Sequence, residues 1–138
     1  MQISGPQNRI PDIKDAGYVI DELALCNEVI AIILFGSLAR GQARMISDID
    51  LCAVTKKNVS ESVKMYLLSF GSDKIDVSFF QDLPIAIRFR VIHEGKILFC
   101  RDKPTLQALM ADTVREYLDI APFIRRNCIR ILGITGSK

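Results

Sequence analysis

Leu34-Phe35-Gly36-Ser37-Leu38-Ala39-Arg40-Gly41, continued through residues 42–46 to Ser47-Asp48-Ile49-Asp50-Leu51, is the stretch on which the reading of this chain turns. The run Val29–Phe35 is apolar, β-branched and aromatic with no polar alternation, the pattern of a strand covered on both faces. Gly36-Ser37 ends it. Residues 38–43 hold helix formers, so a short helix is expected there, its first free N–H groups pointing back at the strand end. From residue 48 to 54 the pattern alternates, with Asp48, Asp50 and Cys52 on one side and Ile49, Leu51 and Ala53 on the other. A strand, a turn able to hold phosphate and a strand able to hold metal are therefore expected in that order.

Upstream, residues 1–11 carry Gly5, Pro6 and Pro11 without periodicity and read as an irregular lead-in. From Asp12, a suitable N-cap, Ile13, Gly17, Ile20 and Ala24 recur on one helical face. Downstream, Lys56-Lys57-Asn58 reads as a turn, and Ser60 with Glu61 opens a helix expected to reach Phe70 and stop at a left-handed Gly71. Lys74 to Phe79 alternates as a strand, with Asp76 on its polar side. Ile85, Ile87, Phe89 and Val91 also alternate, yet Asp82 and Pro84 open like a helix and Gly95 closes like one; helix is the reading adopted. A short strand over 96–100 follows. Asp102 and Pro104 then start a long helix through Ile120, which Pro122 is expected to break or kink, since proline lacks the N–H and crowds the preceding turn. A second helical segment spans 123–132, and the end is expected to fray.

The chain has 138 residues, 49% of them hydrophobic, enough for one domain with a real core. A single domain over 1–138 is expected: the lead-in, a sheet-and-helix body over 12–100 that carries the site, and a C-terminal helical extension over 101–138. Net charge is +2, so composition gives no strong sign of nucleic-acid binding. Residues 101–138 hold 7 Lys/Arg against 4 Asp/Glu, a mildly basic tail. Cys26, Cys52, Cys100 and Cys128 stand far apart among apolar neighbours, which argues for reduced thiols and a cytoplasmic protein. The longest apolar run is far short of the roughly 20 residues that cross a bilayer, and no signal peptide is read.

Residues two apart in a strand point the same way, about 6.6 Å apart, so Asp48 and Asp50 aim at one volume. If the strand of Asp76 pairs alongside with polar faces aligned, three carboxylates converge, and their repulsion calls for a cation. Mg²⁺ fits, being held by one or two carboxylates together with substrate phosphates. Gly36 lets backbone approach a phosphate, Ser37 offers a hydroxyl, and Arg40, with Arg44 behind it, can neutralise charge. A lone Asp-x-Asp is most often a solvated strand edge and a lone Gly-Ser only a turn. Their combination in this order is what carries weight. His93, Tyr117 and Phe123 read as structural or packing residues.

On these residues the sequence resembles the minimal nucleotidyltransferases of the DNA polymerase beta-like superfamily. The Gly-Ser turn at Gly36-Ser37, the acidic pair in Ser47-Asp48-Ile49-Asp50-Leu51 and Ile75-Asp76-Val77 match that group's motif, and Glu94-Gly95-Lys96-Ile97-Leu98-Phe99 and Arg115-Glu116-Tyr117-Leu118-Asp119 resemble its later segments. The resemblance implies a nucleotidyltransferase-like α/β (α+β) fold, a small mixed sheet flanked by helices with a long C-terminal helical segment. It implies that Asp48, Asp50 and Asp76 hold two Mg²⁺ and that Gly36, Ser37, Arg40 and Ser47 bind the nucleotide. The implied reaction moves a nucleoside monophosphate, AMP from ATP or another NTP, to a hydroxyl. A tyrosine of a HEPN-type toxin is the implied acceptor, with a homo- or hetero-oligomer in view. The alternative is a non-catalytic module that binds nucleotide or partner with the same fold.

Overall fold

The computed structural model describes residues 13–36 and 49–132. The elements are α1 (Ile13–Ala24), β1 (Val29–Phe35), β2 (Ile49–Thr55), α2 (Glu61–Leu68), β3 (Ile75–Phe79), α3 (Ile85–Glu94), β4 (Lys96–Cys100) and α4 (Lys103–Leu132), with one 3₁₀ turn, Phe80–Asp82, between β3 and α3. The strands form one sheet of order β3-β2-β1-β4. β1 pairs antiparallel with β2 and with β4, while β2 and β3 run parallel, as they must when α2 carries the chain back across the sheet. The sheet is mixed and small, as expected.

The unbroken apolar runs account for the two central strands. Every β1 residue from Val29 to Leu34 is buried, and in β2 only Asp50 is partly open. One face meets α1 and α2 through Ile32, Leu34, Ile49, Leu51, Ile75 and Val77 against Ile20, Leu23 and Leu67. The other meets α3 and α4 through Ala31, Ile33, Cys52 and Val54 against Phe80, Val91 and Leu106. Each such side chain taken from water contributes about 1.5–3 kcal/mol. β3 is an outer strand, and its alternation survives as a burial pattern: Ile75, Val77 and Phe79 are buried, Asp76 is exposed.

Several expectations meet local chemistry. Ser60 caps α2, its Oγ accepting from Val63 N at 3.3 Å. The helix stops two residues early, at Leu68, and Gly71 is not left-handed; Ser69 closes the turn at φ −66°, its N–H reaching Met65 O at 3.0 Å. Gly71 instead lies along β3, where a Cβ would stand 3.4 Å from Ile75 O. The left-handed residue of this region is Asn58, φ 62°, in the Lys56-Lys57-Asn58 turn. The strand-like alternation over 85–91 gives way to helix α3: Arg88 N bonds Pro84 O at 2.9 Å, and Gly95 N bonds Val91 O at 2.8 Å. A Cβ on Gly95 would clash with Val91 O and press to 2.5 Å of Ile33 Cγ2, so only glycine lets the chain turn so tightly from α3 into β4.

α4 corrects the expected break. It runs as one helix of 30 residues with Pro122 inside it, about 45 Å long. Its first half is held to α3 by the stack of Tyr117 on Phe89, ring centroids 4.1 Å apart, and His93 extends that stack from Phe89 at 5.9 Å. His93 is thus a structural residue, as read. Phe123 is not a packing residue: it is 57% exposed, with Arg126 over its ring at 5.4 Å. No described helix is long and apolar enough to cross a membrane. The expected lead-in, the Asp12 cap, the short helix over 38–43 and the frayed end lie outside the described residues.

Candidate active site

At one end of the sheet three strands place three side chains abreast. In the antiparallel register Phe35 stands opposite Asp50, and in the parallel register Asp50 stands beside Asp76. Register partners in neighbouring strands share a face, and strands lie about 4.8 Å apart, so the two carboxylates rise from adjacent positions on one side of the sheet. That side is the one covered by α3 and α4, because Cys52 and Val54, which follow Asp50 at the same parity, pack there. The end of the sheet is tied together by Ile49 N donating to Lys74 O at 2.7 Å, one residue before Asp50 and two before Asp76.

Gly36 follows β1 directly and has φ +88°, a conformation L side chains rarely adopt. Any Cβ there would overlap Asp50 Oδ2 and lie 3.3 Å from its Cγ. The turn backbone and the Asp50 carboxylate therefore touch only because residue 36 has no side chain. One rung further in, the surroundings turn apolar: burial pushes the Cys52 thiol up to about 12. The acids sit at the open end of a dry sheet face, where one side is wet enough for substrate and the other excludes water.

A cavity of about 180 Å³ adjoins this row, lined by Phe35, Gly36, Ile87, Arg90 and Glu94. Phe35 and Ile87 form apolar walls, and Arg90 Nη2 stands 3.9 Å from Glu94 Oε1. Sequence reasoning missed Arg90 and gave Glu94 no site role, naming it only within the segment that resembles the family's later part; an oppositely charged pair four apart on α3 is a weak signal, which surface helices carry routinely. Of the expected site residues, Gly36, Asp50 and Asp76 come together. Asp48, Ser37, Arg40 and Ser47 lie outside the described residues, and among the described residues no group of three His, Cys, Asp or Glu is set to hold a metal. The donors that are present, two carboxylates side by side without thiol or imidazole, have the hard oxygen chemistry that suits Mg²⁺.

The comparisons with known proteins bear on this geometry. A protein of Methanocaldococcus jannaschii named as a candidate protein adenylyltransferase is 32% identical over 73 residues, 53% of this chain and 57% of its own length. This chain thus spans a little over half of that relative. Among solved structures, a candidate nucleotidyltransferase from Sulfolobus solfataricus superposes with TM-score 0.52 at 26% identity, over 73% of this chain and 93% of that one. A chain of the complex between the tri-AMPylated Shewanella oneidensis HEPN toxin and its MNT antitoxin superposes with TM-score 0.64 at 15% identity, over 88% and 98%. At that identity the likeness is one of fold. Residues 19–104, which include the Gly36 turn, β2 and β3 with their acids, and α3, match the model of the polymerase beta nucleotidyltransferase family, and the chain belongs to that family.

Proposed function

We propose that this chain is a Mg²⁺-dependent nucleotidyltransferase that moves AMP from ATP to a protein hydroxyl, a tyrosine of a HEPN-type toxin, and so acts as an antitoxin. The observation that carries the reading is the row of Asp50 and Asp76 in register, with Gly36 against the Asp50 carboxylate. The relative named for protein adenylylation and the solved complex of an AMPylated toxin with its antitoxin support the choice of AMP and of a protein acceptor. Free cysteines among the described residues and the use of ATP support a cytoplasmic site of action.

Asp48, Asp50 and Asp76 would hold the ions. When bound, two Mg²⁺ would offset charge on the attacking and leaving oxygens of an in-line displacement. The residues of the chain do the rest. In this reading the backbone of Gly36 and the Ser37 hydroxyl would hold the β- and γ-phosphates, and Arg40 and Ser47 would be further nucleotide-binding residues. Asp76 receives the proton of the acceptor hydroxyl as its oxygen bonds to the α-phosphorus; the bond from that phosphorus to the β-phosphate oxygen breaks, and pyrophosphate leaves. Positioning and electrostatics supply the acceleration, because phosphoryl-type transfer needs little covalent help from protein.

The test uses the purified chain, Mg²⁺, ATP labelled at the α-phosphate and a purified HEPN-type toxin as the acceptor protein. The parent should label that protein and raise its intact mass by one AMP residue or more. Asp50→Asn and Asp76→Asn should each lower the rate by at least about a hundredfold while the thermal transition stays within a few degrees. A double Asn variant that binds Mg-ATP as the parent does would remove these acids from the site.

A further inference from the structure

A site that holds the α-phosphorus of a nucleotide at the row of Asp50 and Asp76, as the transfer reaction proposed above requires, must also house a base one ribose away. Phe35 is the register partner of Asp50, so its ring stands on the side of the sheet that bears the acids. It belongs there to the core that α3 covers. The cavity of about 180 Å³ lined by Phe35, Gly36, Ile87, Arg90 and Glu94 therefore opens beside the acids and on their face.

The helical wall of that cavity is set by spacing and by a tight turn. Ile87, Arg90 and Glu94 stand three and four residues apart, which places them on one face of α3. The helix then ends against β1: Gly95 N bonds Val91 O at 2.8 Å, and a Cβ on Gly95 would stand 3.1 Å from Leu34 O. Glu94 is thereby held level with the end of β1, where Phe35 and Gly36 follow. Phe35 and Ile87 are only partly buried and supply the apolar walls. Arg90 Nη2 stands 3.9 Å from Glu94 Oε1, and their side chains keep 56% and 30% exposure, so a ligand can reach both. A guanidinium only donates and a carboxylate only accepts, so the cavity carries a donor beside an acceptor.

Apolar walls take a flat ring, and a donor beside an acceptor takes an edge with the complementary pair. Adenine has both: an N6 amine that donates next to a ring nitrogen that accepts. Guanine carries O6 in that place, and an oxygen facing a carboxylate opposes two acceptors. Cytosine repeats adenine's pair on a single ring, with less area to cover the walls. A polyphosphate does not fit, because the Glu94 carboxylate repels it. We propose that this cavity holds the base of the nucleotide, and that Glu94, accepting from N6, and Arg90, donating to the adjacent ring nitrogen, select adenine. Phe35 gives the ring an apolar face to lie on.

Binding is measured by calorimetry on the full chain with Mg²⁺ and no acceptor, using ATP, GTP, CTP and purine riboside triphosphate, which lacks the N6 amine. The parent should bind ATP at least about tenfold tighter than GTP or the amine-free analogue, and CTP more weakly than ATP. Glu94→Gln, whose amide can turn its NH₂ to O6, should bring ATP and GTP within about threefold of each other. Arg90→Met, which keeps the apolar stem, should weaken ATP and the amine-free analogue alike, since both keep the ring nitrogen. Arg88→Gln, which breaks the pair with Glu116 on the same helix, should leave every ratio as in the parent. A parent that binds GTP as tightly as ATP, or binds neither, overturns the pocket. So does a ratio that Glu94→Gln leaves alone, or one that Arg88→Gln changes equally; equal tightening of all four nucleotides by Glu94→Gln would put phosphate in the cavity instead of base. Adenine preference that responds to Glu94→Gln while a purified HEPN-type toxin goes unlabelled keeps the pocket and removes the transfer reading. Toxin labelled equally well from ATP and GTP does the reverse.

Discussion

A methyl group at position 36 would have nowhere to go: the Asp50 carboxylate occupies its place, and the backbone sits at φ +88°. Two separate costs therefore meet in Gly36→Ala, a left-handed conformation of about 1–2 kcal/mol and the displacement of the Asp50 side chain. The fold should survive, since β1 is anchored along its whole length, but the acid should be turned from its position beside Asp76. Expected is a loss of a few degrees in Tm together with at least about a tenfold loss in Mg-ATP affinity; a variant that keeps full affinity would show that the turn does not set the carboxylate. Asp76 differs from Asp50 in being exposed on an outer strand, so its substitution is expected to change chemistry more than stability.

At the scale of elements, the ends of helices are where the sequence spoke most directly. Ser60 and Asp102 were both legible as caps, because a side-chain oxygen before a helix accepts from N–H groups that the helix leaves free. Asp102 accepts from Thr105 N at 3.1 Å and from Thr105 Oγ1 at 2.7 Å, and these bonds hold its carboxyl below the ordinary value of 3.8. A carboxyl whose folded value is depressed stabilises α4 in full above about 3.8, and that contribution is lost as pH falls through the lower folded value. Asp102→Ala should therefore melt below the parent at pH 6, with the gap closing as the pH is taken down past 3.8; a gap indifferent to pH would remove the carboxylate from the cap. Pro122 was legible too, but as a stop. The chain keeps its helix through it, because the loss of one hydrogen bond is local whereas the turns on either side remain bonded.

On the scale of the whole molecule, two cores share one sheet, and the links that hold its far end are long-range. Arg101, just after β4, donates from Nε to Val29 O at 3.0 Å and from Nη2 to Cys26 O at 3.3 Å and to Ala24 O. One guanidinium thus joins the end of α1, the start of β1 and the exit from β4. Arg101→Ala removes the part-buried bond to Val29 O and the exposed bonds to Ala24 O and Cys26 O, of which Cys26 O keeps Val29 N as a donor, and should cost about 1–2 kcal/mol in urea unfolding. Arg101→Lys should recover little, since an ammonium cannot reach three divergent acceptors with a planar fork. Full stability in both variants would mean that water replaces the guanidinium without loss.

The sequence by itself determined the order of strand, turn, acid and acid, and with it most of the elements. β1 and β4 fall at their expected ends, and the side of the strand on which Asp50 and Asp76 each lie was readable from alternation, since a period of two follows from the pleat alone. What only the tertiary structure decided is adjacency. Nothing local says that Asp50 is level with Asp76 rather than two residues past it, because register is set by how Ile49, Leu51, Ile75 and Val77 share a core with Leu67 on the returning helix. The same holds for the contact of Gly36 with Asp50 and for Arg90 and Glu94 beside that turn. Each is a meeting of segments far apart in the chain, and periodicity can assign a residue to a face without saying what that face will meet.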